Sequence, residues 1–285
     1  MSLTPTSQPV MPRLKRDTLI SLLRKGNRID GRAPEDYRPI TIQLNPIPKA
    51  EGSALVKIGD TMVMTGIKTE IGEPFRDRPF EGVLQVHAEY VPLASPSFEP
   101  GPPDENAIEA ARVIDRCLRE PKAIKLDELV IIPGRKVWVI FNDIYLIDHD
   151  GNVIDAGALA TMAALNMTKL PKIVGIEGDN VIIDRSVRET PLPLSLNVVT
   201  VTLAKIGDYI IVDPNLDEEL IADARLTIGF DSLGRIVGMQ KMGMSGFTRS
   251  ELDYAIDLAF KKAKELHELL EKVLKNPETA SKPIV

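Results

Sequence analysis

The stretch of residues 138–165, WVIFNDIYLIDHDGNVIDAGALATMAAL, constrains the fold more than any other part of the chain. It reads as an apolar strand, a tight Asp150-Gly151-Asn152 turn, and a helix of small residues opening at Asp155. A strand that runs into a helix N-terminus leaves the first backbone N–H groups unpaired, and the helix dipole favours negative charge there. Such a junction is a ready anion site. A phosphate site of this type adds a hydroxyl, a second glycine or a cation in the turn. Here those places hold Val153 and Ile154, with Asp150 and Asp155 beside them. Two carboxylates and two branched apolar side chains disfavour phosphate, so the geometry of the junction and its chemistry disagree.

The segments on either side supply sheets. Strands are expected at residues 38–43, 52–58, 61–70 and 83–92, and Gly59-Asp60 joins the second to the third as a two-residue hairpin. The loop GEPFRDRPFEG follows the third strand and sets Arg76 and Arg78 among prolines and phenylalanines. Residues 105–119 read as a helix stopped by Pro121. Beyond residue 165, short strands near 173–175 and 181–183 turn at Gly178-Asp179-Asn180. A long strand at 196–206 turns through Gly207-Asp208 into 209–213, an acidic stretch follows at 215–223, and a hairpin pairs 226–230 with 236–242. The last helix opens on a Thr248–Glu251 capping box and carries Leu252, Ile256, Ala259, Ala263, Leu266 and Leu270 as a stripe. At the other end, residues 1–11 read as a disordered Ser/Thr/Pro-rich arm. Pro12 starts an amphipathic helix with Leu14, Ile20, Leu22 and Leu23 among its apolar positions. The basic residues from its end to Arg32 read as a solvated helix terminus, and the tail from Asn276 reads as frayed.

Lys57-Ile58-Gly59-Asp60 recurs as Lys205-Ile206-Gly207-Asp208, each time between two apolar strands. The chain therefore reads as a duplicated αβ unit over residues 12–275, an α+β fold with mixed or antiparallel sheets packed on helices. A single cysteine, Cys117, excludes an internal disulfide framework and suits a reducing cytosol; within its helical pattern it reads as a small buried hydrophobe. No apolar run is long enough to span a membrane. With a formal net charge of −6 there is no general basic coat for nucleic acid, and if the chain touches RNA it does so through a local basic patch. His87, His149 and His267 have no partners at ligand spacing, and the acidic run lacks the glycine of a calcium loop, so no metal or other cofactor is expected. Trp138, within a strand, reads as core.

Four separated segments decide the family: Asn27-Arg28-Ile29-Asp30-Gly31-Arg32, GSALVKIGDTMVMTGI, DGNVIDAGALATMAAL and VDPNLDEELIADARLTI. Together they resemble the RNase PH family, which degrades RNA from its 3′ end by phosphorolysis, and the likeness covers nearly the whole chain. Within that family the chain is most similar to the non-catalytic RNase PH-like subunit of the archaeal exosome. The resemblance implies a hexameric ring of three heterodimers with a catalytic sister subunit, cap subunits that bring RNA, and a cytoplasmic setting. Active members carry D-G-G followed by Ser or Thr where phosphate binds; the corresponding positions here are Asn152, Val153 and Ile154. They also place two aspartates six residues apart after a strand ending in Asp. Anchoring that strand end at Asp213 puts Glu219 and Arg225 in the two places, whereas a shifted register offers Asp217 and Asp223. In the gapless register no catalytic residue is left.

Arg112, Arg116 and Arg119 recur at i, i+4 and i+7 and share one helix face, opposite Ala107, Ala111, Ile114 and Leu118. From spacing alone this is either a solvated face paired with Glu105 and Glu109 or a rail for RNA phosphates. The resemblance favours the rail, because the family uses arginines of this helix to hold single-stranded RNA near the sister subunit's active site. Arg76 and Arg78 either line the ring's channel or pack at a subunit contact. The leading expectation is a structural, RNA-binding subunit of a phosphorolytic 3′→5′ exoribonuclease complex. The alternatives are an active phosphorolytic RNase using Asp217 or Asp223, and an oligomeric αβ protein with no nucleic-acid role.

Overall fold

The computed structural model describes residues 13–276. Helix α1 (Arg13–Leu23) leads to β1 (Ile40–Leu44), β2 (Gly52–Ile58), β3 (Thr61–Gly72) and β4 (Val83–Tyr90). Helix α2 (Glu105–Arg119), a short 3-10 turn (Leu126–Leu129), β5 (Val130–Ile132) and β6 (Lys136–Asp148) precede the central helix α3 (Val153–Met167). Then come β7 (Lys169–Glu177), β8 (Asn180–Pro191), β9 (Val198–Ile206), β10 (Tyr209–Val212), α4 (Leu216–Ile221), β11 (Ala224–Asp231), β12 (Ile236–Met242) and α5 (Arg249–Lys275). The expectations for residues 1–12, for the tail beyond Asn276 and for the side chain of Leu14 lie outside the described residues.

The first sheet runs β1-β2-β3-β6-β4, with β5 on β6. Only β4 lies parallel, against β6, because α2 crosses over between them. The second sheet, β10-β9-β11-β12, is antiparallel throughout. The architecture is thus α+β with one mixed and one antiparallel sheet. Both Lys-Ile-Gly-Asp segments form the same turn: Gly59 and Gly207 take φ of 58° and 61° at the first central position, which suits a type II′ hairpin.

Helix α3 is the slab between the sheets. Every residue from Val153 to Leu165 is buried, and the helix packs on β2 and β3 on one side and β9 on the other. A helix apolar on all sides has to be enclosed in this way. Its small residues set the spacing: a Cβ on Gly157 would lie 3.0 Å from Ile114 Cδ1. Leu159, Met162 and Leu165, almost fully buried, each contribute roughly 1.5–3 kcal/mol through removal from water. Cys117 sits 3% exposed against Gly229 and Gly238, and burial pushes its thiol up to about 11, so it is a packing residue.

Several boundaries differ from the sequence reading. Helix α3 opens at Val153, two residues before Asp155, because Asn152 adopts the left-handed conformation (φ 51°, ψ 44°) and turns the chain directly into the helix. The two short strands expected after it are one long hairpin, β7–β8, whose irregular register at Pro171 hides its length in the sequence. The acidic stretch contains α4, fixed by an Asn215–Glu218 capping box. Of the basic segment leading to Arg32, Arg24 and Lys25 are exposed at the helix end as a solvated terminus would be, but Arg28 is 2% exposed and bonded to Glu218.

Gly151 allows the 213–216 segment to close on the α3 turn. It has φ 78°, and a Cβ there would lie 2.6 Å from the Asn215 carbonyl carbon and the Leu216 nitrogen. Gly151→Ala therefore combines left-handed strain with overpacking, and about 2 kcal/mol of destabilisation is expected, read as a lowered urea midpoint at unchanged slope.

Candidate functional site

Two regions meet at α2. One end of the helix borders a cleft above the α3 N-terminus, and its outward face borders a groove along β4. The positions singled out by sequence assemble in the cleft: Asn152, Val153, Ile154, Glu219 and Arg225 line it together, with Tyr90, Phe98 and His149 as an aromatic wall. Glu219 reaches the cleft from α4 and Arg225 from β11. Arg225 Nη1 lies 2.8 Å from Glu219 Oε1, and the same oxygen accepts the backbone N–H of Asn152 at 2.9 Å. Val153 and Ile154 present only alkyl groups. Burial lowers the His149 pKa, so its imidazole is neutral near pH 7.

Neither Asp217 nor Asp223 lines this cleft. Asp223 instead accepts the Gly207 N–H at 2.7 Å and pairs with Arg16 at 3.3 Å, which places it at the β9–β10 turn. The register anchored at Asp213 is the one that brings both of its positions into the cleft.

Behind the cleft lies a buried polar hub that the sequence reading did not single out. Asp213, fully buried and left-handed at φ 49°, ends the β10 segment. Its Oδ2 accepts from Arg38 Nε at 2.9 Å and Arg32 Nη1 at 2.9 Å; its Oδ1 accepts from Arg38 Nη2 at 2.8 Å and Asn152 Nδ2 at 2.7 Å. Burial alone would raise this carboxyl, but the Arg38 hydrogen bond and the Arg38 and Arg32 charges outweigh it and hold the pKa below the ordinary range. Arg28 donates to the Val212 and Asp213 carbonyls and pairs with Glu218, the N3 residue of α4. Asp155 is equally buried and accepts from Tyr37, Asn152, Thr200 and Thr202; burial still pushes its carboxyl up to about 6. The hub positions α4 and the Asn152 turn, and through them the two faces of the cleft. The motif Asn27–Arg32 and the Asp213 strand end carried this signal, since two short charged motifs far apart in sequence meet here.

The groove is lined by Arg112, Arg116 and Arg119 with Leu84, Gln85 and Val86 at the β4 edge. Ala107, Ala111, Ile114 and Leu118 are buried on the opposite face of α2. Arg112 and Arg116 are exposed, and among the described residues neither has an ion-pair partner. The pairing with Glu105 and Glu109 that the solvated alternative called for does not form; Glu109 instead accepts from Gln240, and Arg119 pairs with Asp115 at 2.6 Å and donates to the Leu84 carbonyl. A second groove shares Leu84 and Arg119 and adds Phe75, Arg78 and Glu81. Arg78 thus joins the arginines of α2, whereas Arg76 is exposed on the loop and lines neither groove. Among the described residues no group of His, Cys, Asp and Glu is placed to hold a metal ion, and no helix is long and apolar enough to cross a membrane.

Residues 36–171 match the 3′ exoribonuclease family, domain 1, and residues 197–262 match domain 2 of the same family. A relative from Sulfurisphaera tokodaii named exosome complex component Rrp42 is 53% identical over 272 residues, covering 95% of this chain and 98% of its own. Among solved structures, a chain of the Archaeoglobus fulgidus exosome with RNA bound to the active site superimposes with a TM-score of 0.83 at 44% identity, over 90% of this chain and 98% of that one. A chain of an archaeal exosome core gives a TM-score of 0.80 at 41% identity, over 91% and 97% of the two chains.

Proposed function

The chain belongs to the 3′ exoribonuclease family, RNase PH, and from that membership we propose that it is the non-catalytic ring subunit of an archaeal-type exosome. The observation that carries this reading is the state of its own cleft. Phosphorolysis needs inorganic phosphate held as a nucleophile and an acid near the leaving 3′ oxygen. Here the single carboxylate in the acid's place, Glu219, is bonded to Arg225 and to the Asn152 N–H. The phosphate turn offers alkyl groups at Val153 and Ile154 where a hydroxyl is needed. Each lesion removes a different requirement of the reaction.

The subunit's contribution is then structural and electrostatic. In the ring it pairs with a catalytic RNase PH-like sister, three heterodimers closing the circle, with RNA-binding cap subunits above and a cytoplasmic location. Arg112 and Arg116 hold single-stranded RNA on its way to the sister's active site, with Arg119 and Arg78 extending the basic track and Arg76 at its margin. A track of this kind matters in a chain whose formal net charge is −6, because the remaining surface repels RNA.

The test is nucleoside diphosphate release from RNA in the presence of phosphate, at matched protein concentrations. The pure chain is expected to release none, and the complex co-expressed with the sister subunit to release it steadily. Robust release by the pure chain would instead make this an active phosphorolytic RNase.

A further inference from the structure

Beyond the C-terminal end of α2 lies a cavity of about 460 Å³. Its floor is apolar, made by Leu118, Ile124, Leu126 and Leu196, with exposed Arg78, Lys122 and Lys125 around it. Leu84 and Arg119 line both this cavity and the groove of Arg112 and Arg116, so the two adjoin. Arg119 stands at the junction with its guanidinium fixed. Its Nε and Nη2 donate to the two carboxylate oxygens of Asp115, at 3.1 Å and 2.6 Å, and Nη2 also reaches the Leu84 carbonyl at 3.0 Å. Its charge is thereby offset, while the side chain stays 28% exposed. A guanidinium held in one plane is a stacking surface for a nucleobase. The free charge at the cavity is elsewhere. Lys125 is paired with Glu128 at 2.9 Å, and Arg78 lies 3.9 Å from both Asp77 and Glu81. Lys122 has no ion-pair partner among the described residues, and the carboxylates that line the cavity are Glu81 and Asp127. Lys122 also takes φ 54°, a left-handed conformation that glycine adopts at less cost, and its carbonyl accepts the Ser195 hydroxyl. A charged side chain is thus kept where the backbone alone would favour glycine.

We propose that this cavity is a nucleobase subsite for the single strand: a base stacks on the Arg119 guanidinium over the apolar floor, and Lys122 meets the adjoining phosphate. This deepens the reading of α2 as an RNA-holding face and rests on it. It divides the arginines by task. Arg112 and Arg116, which have no ion-pair partner among the described residues, neutralise phosphates, whereas Arg119, already neutralised by Asp115, offers a plane. An uncharged aromatic ligand would fill the floor and leave Lys122 unused. A bare phosphate would meet Lys122 and leave the apolar floor in water. A nucleotide of a strand already lying in the adjoining groove satisfies both. Stacking of this kind tolerates any sequence, because every base has a π face.

The experiment measures the affinity of the assembled ring, without phosphate, for a short oligoribonucleotide in which a single abasic residue is moved along the strand. Wild-type rings are expected to lose about fivefold or more in affinity when the abasic residue falls at the position that meets Arg119. Arg119→Lys keeps a charge but has no plane. Its rings should bind the intact strand about fivefold or more weakly and lose that positional penalty, with the salt slope unchanged. Lys122→Gly should do the reverse, flattening the slope by about 0.7 and keeping the penalty, and its ring should assemble because glycine suits the left-handed backbone. Wild-type rings with no positional penalty, or Arg119→Lys rings that keep every penalty of the wild type, would overturn the base subsite. If Arg119→Lys rings do not assemble, a strand carrying 4-thiouridine decides on the wild type. Photocrosslinks are then expected within residues 118–126, and crosslinks confined to other residues would overturn the proposal. Failure here leaves the rail of Arg112 and Arg116 to its own test, since a strand can be held by its phosphates with no base stacked.

Discussion

Replacing Asp213 by asparagine should lower the unfolding free energy by about 3–5 kcal/mol, read as a large drop in the urea midpoint. The substitution keeps the side-chain shape, and asparagine tolerates the left-handed backbone that Asp213 adopts at φ 49°, so the loss isolates the charge. Removing that charge leaves the Arg38 and Arg32 guanidinia, 6% and 11% exposed, without their common partner. Arg38 retains Asp150 at 3.0 Å, but that carboxylate is 35% exposed and its attraction is screened accordingly. A matched control is Asp179→Asn, which breaks the Arg135–Asp179 pair, 66% and 60% exposed, and should change stability by no more than about 0.5 kcal/mol.

The pH dependence of stability carries the same signature. Asp213 has a folded pKa below its unfolded one, so its stabilisation is complete above the ordinary carboxylate range and is lost as pH falls through the folded value. Asp155 works in the opposite sense. Its folded pKa lies near 6 because burial dominates, so the fold prefers it protonated and stability declines as pH rises from the ordinary range through about 6. The wild type should therefore gain slightly on acidification from neutral pH to about 5 and lose steeply below about 4. Asp213→Asn should lack most of that acid loss and keep the Asp155 slope.

What could be read from the sequence divides along physical lines. Helix α2 was legible to the residue, because its apolar positions repeat at helical spacing and Pro121 marks its end. The Gly59-Asp60 and Gly207-Asp208 turns were legible because a glycine between two apolar runs has one efficient use. Asp213 was legible only as the end of a strand. Its partners lie as far as 185 residues away, and no local period reports a contact of that range. Helix α4 was hidden by its acidity, since few of its residues are buried; its signal was the Asn215–Glu218 box, the same device as Thr248–Glu251. Val153 and Ile154 read as turn because β-branched residues are poor helix openers, and a left-handed Asn152 overrides that preference. The cleft's composition could be read by alignment to the family pattern, but the bond from Glu219 to the Asn152 N–H could not, because it joins elements 67 residues apart.

Replacing both Arg112 and Arg116 by alanine should weaken RNA binding by the assembled ring about 10- to 100-fold and flatten its salt dependence. Both side chains are exposed, lie on one face of α2 and have no ion-pair partner among the described residues, so their charge is available to a ligand. Arg119 differs. Its guanidinium is committed to Asp115 and to the Leu84 carbonyl, and alanine there would disturb the β4 contact as well as any RNA. Each phosphate neutralised on a single strand contributes a slope of roughly −0.7 to log affinity against log salt, so losing two contacts should flatten the slope by up to about 1.4. Stability should move by no more than about 0.5 kcal/mol, because Ala107, Ala111, Ile114 and Leu118 keep the buried face of the helix intact. On the proposed function, in which the reacting groups belong to the sister subunit and this face only retains substrate, the turnover rate at saturating RNA should change little and the half-saturating RNA concentration should rise. The decisive measurement is RNA affinity of wild-type and doubly substituted rings across a salt series, with ring mass checked at each salt concentration. An intact ring with unchanged affinity and slope would mean that this face meets only solvent, and the basic track would then have to run through Arg78 and its groove instead.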